Sequence, residues 1–405
     1  MEKRGDDFSP KLLILFFKTP SRILRVFSYL SKTQRKATCD SRNLMEKTSP
    51  KFLLNRLSLR FPELLLSYQI HREVFDRPFN FSAFYKTLPP DFLKPDQQFL
   101  EWFVGFSEGD GCFCVSATGR CSFTISQRDE LLLQLIRQTL GFGSICPVRN
   151  SPGMFHYNVS SLKKDIFPLI QLFNGNLLLK KTNKRFKSWV ANYNRRCGTE
   201  LKVVSRWDGT FKTVEHDSQR DPAFQEAALQ KTSVVWNSSW LSGFIEAEGC
   251  FSVLLRKPDV EALKFQWVPQ YQIVQKGESE LVLHVAFLIG RGCFSRSVWE
   301  RLPVTTLEDG IYRFMAGSRI SVELIQGYLI KHPLRGKKAL SYSKWCQLLL
   351  ELSKFKELLR RSRALHRACR SITPIDLKAS SFPHEKHEKL LALAKDINPS
   401  ESKKV

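Results

Sequence analysis

The chain has 405 residues and a formal net charge of +24, from 63 Lys and Arg against 39 Asp and Glu. With 42% hydrophobic residues it can bury a substantial core, and no apolar run approaches the roughly 20 residues of a membrane helix, so no membrane partner is expected. The positive excess is spread along the chain, as a footprint for a polyanion would be, and it points to nucleic acid.

Residues 1–95 match no later part of the chain and read as a basic N-terminal extension, ended by Pro89, Pro90 and Pro95. Asp96 is a good N-cap, and a helical pattern follows over 97–109. After Gly111 the period changes to two. Phe113, Val115 and Ala117 alternate with Cys114, Ser116 and Thr118; Gly119 and Arg120 make a turn; Phe123 and Ile125 then alternate with Ser122, Thr124 and Ser126. Glu130–Leu140 reads as a helix stopped by Gly141, followed by a hairpin over 144–149 and 155–160 and two helical stretches that end at 189–193. This first repeat occupies 96–197, and the polar, charged stretch 198–235 reads as a linker.

The same order then restarts. A helix is expected at 238–247, a hairpin at 250–256 with 265–275, and a helix at Ser279–Ile289 ended by Gly290. A second hairpin is expected at 292–299 with 310–316, then closing helices through Trp345. The second repeat with its closing helices is placed at 236–371 and a tail at 372–405. The expected fold is α+β: two pseudo-twofold related αββαββα repeats, each with an antiparallel sheet.

The ten cysteines form no CxxC pair, and Cys112, Cys114, Cys250 and Cys293 lie in apolar strand-like runs. They read as buried free thiols of a reducing compartment, since Cys112, Cys114 and Cys121 are poorly spaced for zinc. Glu2, Asp6 and Asp7 argue against a transit peptide, which is poor in acids.

The repeats share one short motif. Residues 103–111 read FVGFSEGDG and residues 241–249 read LSGFIEAEG. Gly105 and Gly109 share a helix face, as do Gly243 and Ala247, and such small-residue faces let two helix backbones approach closely. The helix ends would then lie side by side with Asp110 and Glu248 close together. Two carboxylates repel unless a cation lies between them, and helix-end carbonyls add negative charge, which makes an oxygen site of the kind Mg²⁺ prefers. Facing DNA, such an ion would activate water and polarise a phosphate, and one acid from each half would serve each strand of a duplex.

The paired motifs resemble the LAGLIDADG motifs of homing endonucleases in their single-chain, two-repeat form, over about residues 96–350. The resemblance implies a Mg²⁺-dependent (or Mn²⁺-dependent) endonuclease that cuts both strands of a long asymmetric DNA site, acting as a monomer for intron homing. It implies that Asp110 and Glu248 bind metal with the carbonyls of Gly109 and Ala247, while Glu108 and Glu246 are structural. Gln127 and Gln275 map to a glutamine near the active site. A central basic residue maps to Lys180 or Lys181 and to Lys337 or Lys338; counting back from Trp189 and Trp345 selects Lys181 and Lys337.

The saddle-shaped sheets would lie over DNA, because a β-ribbon fits the major groove. The reading face would carry Ser116, Thr118, Arg120, Ser122, Thr124, Arg149, His156 and Asn158, and in the second repeat Ser252, Arg256, Gln270, Gln272, Ser295 and Arg313. Phe113, Val115, Phe123, Ile125, Phe251, Val253, Tyr271 and Ile273 would pack beneath the helices. The resemblance leaves two other readings: an RNA maturase that assists splicing of its host intron, and a DNA-binding regulator without activity, which would be expected to lose its metal acids. It also implies synthesis in an organelle, plastid or mitochondrion, the plastid favoured.

Overall fold

Asp96 starts the first repeat as expected: its side chain accepts from the Phe99 N–H at 2.6 Å and caps helix α1, Gln97–Asp110. The computed structural model describes residues 67, 71–208, 230–259, 264–289, 304–306 and 310–368; for 72, 163, 254–259, 264–268, 305, 306 and 354–368 only the backbone is described. Every residue from Phe99 to Glu108 is buried, which explains why α1 is apolar on all sides: it is a central helix, not a surface one.

The first repeat continues with β1 (Gly111–Val115), β2 (Cys121–Gln127), α2 (Glu130–Leu140), β3 (Ser144–Pro147), β4 (Phe155–Val159), α3 (Phe167–Phe173) and α4 (Lys180–Cys197). The second repeats the order with α5 (Trp240–Glu248), β5 (Cys250–Asp259), β6 (Lys264–Lys276), α6 (Ser279–Ile289), β7 (Val304–Thr306), β8 (Ile311–Ala316), α7 (Arg319–Lys331) and α8 (Lys338–Ala368). The two four-stranded sheets have the same topology, β1-β2-β4-β3 and β5-β6-β8-β7, and every pairing is antiparallel.

Register decides which side chains face inward. Phe113, Phe123 and Val159 are cross-strand partners on one face, and Cys112, Thr124, Asn158 and Ser144 on the other. Phe113 meets Phe173, Phe186 and Trp189, while Phe251 meets Tyr342 and Trp345. Phe251 is buried and Phe113 half-buried, and a fully buried aromatic contributes about 1.5–3 kcal/mol. One indole anchors each closing helix to its sheet: Trp189 Nε1 donates to the Cys114 and Ser122 carbonyls at 3.1 Å, and Trp345 Nε1 to the Ser252 carbonyl at 3.1 Å.

Five expectations change. Residues 71–95 are not separate from the repeats: Phe75, Phe79, Phe81 and Phe84 are buried, and Asn80 and Asn176 exchange two hydrogen bonds. Arg206, inside the expected linker, is buried and donates to the carbonyls of Gly175, Val74, Arg77 and Pro78. The strand paired with β8 is Val304–Thr306, whereas 292–299, the expected partner, lies outside the described residues. Val115, the last residue of β1 beside the exposed hairpin turn, is 45% exposed. Cys112 and Cys250 are exposed and Cys114 half-buried, because all three alternate with the inward phenylalanines. Residues 1–66, most of the linker, Cys293 and the tail from 372 lie outside the described residues.

Candidate active site and nucleic-acid face

Helices α1 and α5 cross at glycines. A methyl group on Gly105 would lie 2.0 Å from the Trp240 carbonyl oxygen, and one on Gly243 1.8 Å from that of Trp102. Any side chain there would force the backbones apart. One turn later, a methyl on Gly109 would lie 2.4 Å from Ala247 Cβ and 3.0 Å from Glu248 Cγ, so the contact continues to the helix ends and sets Asp110 beside Glu248.

Each acid meets the glutamine at the end of its own sheet's second strand. Gln127 Nε2 donates to Asp110 Oδ2, and the Gln275 amide hydrogen-bonds Glu248. Burial pushes the Asp110 carboxyl up to about 6, Glu248 adds to the rise, and the Lys338 ammonium and Gln127 oppose it. Burial also raises Glu248, against Gln275, Lys338 and Lys181. Two half-buried carboxylates whose neighbouring charge disfavours ionisation, with the carbonyl ends of two helices beside them, form a hard oxygen donor set, and that set fits a divalent cation. Asp110 and Glu248 would hold it, with the Gly109 carbonyl within the same turn. The Ala247 carbonyl is engaged differently, accepting from Lys338 Nζ at 3.1 Å.

The motif's first acids hold the starts of the closing helices. Glu108 accepts from the Leu178 and Leu179 N–H groups at 3.1 and 2.7 Å and from Trp240 Nε1 at 2.7 Å. Glu246 accepts from Arg335, Gly336 and Lys338 at 2.9, 3.2 and 3.3 Å. This matching grip aligns Leu178 with Arg335, and therefore Lys181 with Lys338, one residue off the count from the tryptophans. Lys338 Nζ reaches the Ile245 carbonyl at 3.0 Å, and burial lowers its pKa against Glu246, Asp110, Cys250 and Glu248. Lys337 Nζ instead turns to the Arg128 carbonyl at 3.1 Å. Lys180 stacks over the Trp207 ring at 5.6 Å, whereas the Lys181 charge acts on Glu248. Lys338 is thus the central lysine that counting missed; the Glu246 grip that places it has no sequence signature.

The outward sheet face carries most of the expected reading residues. Ser122, Thr124, His156 and Asn158 share it by register, with Thr124 Oγ1 donating to Asn158 Oδ1 at 3.1 Å. Ser116, Thr118 and Arg120 are exposed at the hairpin turn, and Arg149 is exposed in the next loop. Ser116 and Thr118 hydroxyls bond to each other at 2.9 Å, so they shape the turn. In the second sheet Ser252 pairs with Gln270, and Gln272 with Met315, while Arg313 pairs with Val274 on the same face. The Arg256 side chain and Ser295 lie outside the described residues. The expected reading residues left out Cys112, Cys114, Cys146 and Ser126, which share this face, although the alternation over 113–126 already set Cys114 and Ser126 opposite the phenylalanines. Among the described residues no group of three or more His, Cys, Asp or Glu is arranged to hold a metal. No described helix is long and apolar enough to cross a membrane.

The LAGLIDADG endonuclease family model matches residues 103–193 and 241–349. The chain is 27% identical over 259 residues to a probable intron-encoded endonuclease 4 of Neurospora crassa, covering 64% of this chain and 41% of that protein. It is 24% identical to a probable intron-encoded endonuclease Cox1-I1b of Schizosaccharomyces pombe, covering 76% of this chain and 78% of that one. An intron-encoded RNA maturase bI4 of Saccharomyces cerevisiae is 28% identical over 25% of this chain and 14% of its own. Among solved structures, the meganuclease I-SmaMI bound to uncleavable DNA is similar with a TM-score of 0.49 at 19% identity, over 73% of this chain and 97% of that one.

Proposed function

The chain belongs to the LAGLIDADG endonuclease family, and from that premise we infer that it is a site-specific, metal-dependent endonuclease that cuts both strands of a long asymmetric DNA site. One observation carries the reading: Asp110 and Glu248 stand side by side at the ends of two glycine-packed helices, each backed by a glutamine from its own sheet. Two sheets with polar outward faces supply the long contact surface, and the diverged residues on them make the site asymmetric.

A divalent cation, Mg²⁺ or Mn²⁺, bound at the paired acids supplies Lewis acidity toward the phosphate and a lowered water pKa. The chain's own residues do the rest. Asp110 and Glu248 hold their carboxylates toward the phosphates, Gln127 and Gln275 fix the carboxylate orientation, and Lys181 and Lys338 bring positive charge to where phosphorane charge develops. The basic surface supplies salt-dependent affinity. A monomer suffices, since one chain contains both acids.

The test is cleavage of a DNA library by the purified protein with Mg²⁺ and with EDTA. Metal-dependent double-strand cuts at one long sequence, lost in Asp110→Asn and Glu248→Gln, support the reading; binding without cutting opposes it. A second reading, assistance to splicing of a host intron, is favoured by the similarity to an RNA maturase. It predicts that splicing of the host intron depends on the protein and survives loss of the acids. Synthesis in an organelle fits the intron-encoded relatives, and because these come from moulds and yeasts, the plastid preference is dropped in favour of the mitochondrion.

A further inference from the structure

Helices α4 and α8 carry the lysines, yet neither Leu179 nor Lys337, the residues ahead of them, has a side-chain acceptor for a first-turn N–H. Carboxylates from elsewhere take these donors. Glu108 and Glu246 do so within their own repeats, and two further acids do so across the molecule. Glu278, in the second repeat, accepts from Lys180 N at 3.0 Å and Lys181 N at 2.7 Å, both in the first. Asp129, in the first repeat, accepts from Lys337 N at 2.7 Å, in the second.

The two acids occupy one structural position. Each follows the second strand of its sheet and starts the next helix: Asp129 is the N-cap of α2, and the Glu278 carbonyl accepts from Val282 in the first turn of α6. Both are nearly inaccessible, 7% and 1% exposed. A buried carboxylate needs partners to offset its lost hydration, and the partners here are main-chain donors of the opposite repeat. The same strand ends carry Gln127 and Gln275. Each strand end therefore reaches its own repeat's metal acid with an amide and the other repeat's lysine segment with a carboxylate.

We propose that Asp129 and Glu278 are positioning residues that carry each repeat's lysine into the site built on the other repeat's acid. Glu278 sets Lys181 against Glu248, and Asp129 sets the Lys337–Lys338 segment against Asp110. Lys181 acts on Glu248 as this pairing requires, while Lys338 acts on Asp110 and also on Glu248, so the main-chain anchors rather than the charges carry the assignment. The difference in length also fits: Asp129 divides its oxygens between Leu132 N and Lys337 N, whereas the longer Glu278 places both on the α4 terminus. The catalytic consequence rests on the nuclease reading above.

The experiment measures nicking of each strand separately, on a duplex selected from a random library by wild-type protein and labelled differently on its two strands. Glu278→Gln is expected to slow the strand that Glu248→Gln protects by about 10-fold, and the other strand less than about twofold; Asp129→Asn is expected to show the mirror result, as displaced catalytic groups should. Equal slowing of both strands, or none, overturns the proposal, because a cap that only stabilises the fold has no strand preference. Amide hydrogen exchange of the free protein provides a second readout. Faster exchange at Lys180 and Lys181 in Glu278→Gln, with Leu178 and Leu179 unchanged, supports the anchor, and unchanged exchange overturns it. If wild type cuts no DNA, the nuclease reading falls and the exchange result still decides whether the acids hold the lysine segments.

Discussion

The two repeats share a backbone plan and differ in how each holds its motif's first acid. Glu108 takes three donors, one of them Trp240 Nε1 from the other repeat, and burial pushes its carboxyl up to about 8. Among the described residues Glu246 takes only main-chain donors of its own repeat, and Trp102, which stands where Trp240 stands, has an indole N–H with no hydrogen-bond partner. The lysines differ similarly: Lys338 lies over helix-end carbonyls, and among the described residues no such bond holds Lys181. Duplication preserved the frame, and divergence acted on the polar contacts around it. The two strand cuts should therefore resemble each other in mechanism and differ in rate.

Neutralising the acids tests this most severely. Asp110→Asn and Glu248→Gln should each reduce cutting of a different strand by about 10³-fold, measured as nicked product, with DNA binding retained. If both variants silence the same strand, the two-site comparison breaks. The glycine crossing should behave symmetrically instead. Gly105→Ala and Gly243→Ala each place a methyl inside a backbone contact and should cost about 3 kcal/mol, read as a shift in urea midpoint with unchanged slope.

The indoles should separate the halves again by a smaller amount. Trp240→Phe leaves the buried Glu108 one donor short and should cost about 2 kcal/mol, while Trp102→Phe removes an unpaired N–H and should cost about 1 kcal/mol or less. A further test is a pH slope. Burial raises Glu278 from an ordinary 4.5 to about 7, so the folded protein binds this proton more tightly than the unfolded chain. The stability it contributes is complete below pH 4.5 and is lost as pH rises through 7, and Glu278→Gln should flatten that part of the stability profile.

Much of this was legible in the sequence because it depends on local pattern. Alternation and caps located both hairpins of the first repeat, the first hairpin of the second and both second helices, Glu130–Leu140 and Ser279–Ile289, and small residues four apart announced the helix crossing. What was missed depends on long-range contact. Phe75, Phe79, Phe81 and Phe84 have no helical or strand period, so nothing local marks them as core. Counting from the tryptophans chose Lys337 because it assumed equal spacing, whereas the register is set by carboxylates far away in sequence.

The segment before the first repeat limits how the halves can be recombined. Arg206 binds it to the first repeat through four main-chain carbonyls, while Phe75 stacks on His284 of the second at 4.4 Å and Asp76 accepts from Thr232. A chimera that joins this first half to a foreign second half would need to match more than the helix crossing. It would also have to present an aromatic-compatible surface to Phe75 and a partner to Ser67, which donates to Glu280, so the portable module includes residues well upstream of the motif that defines it.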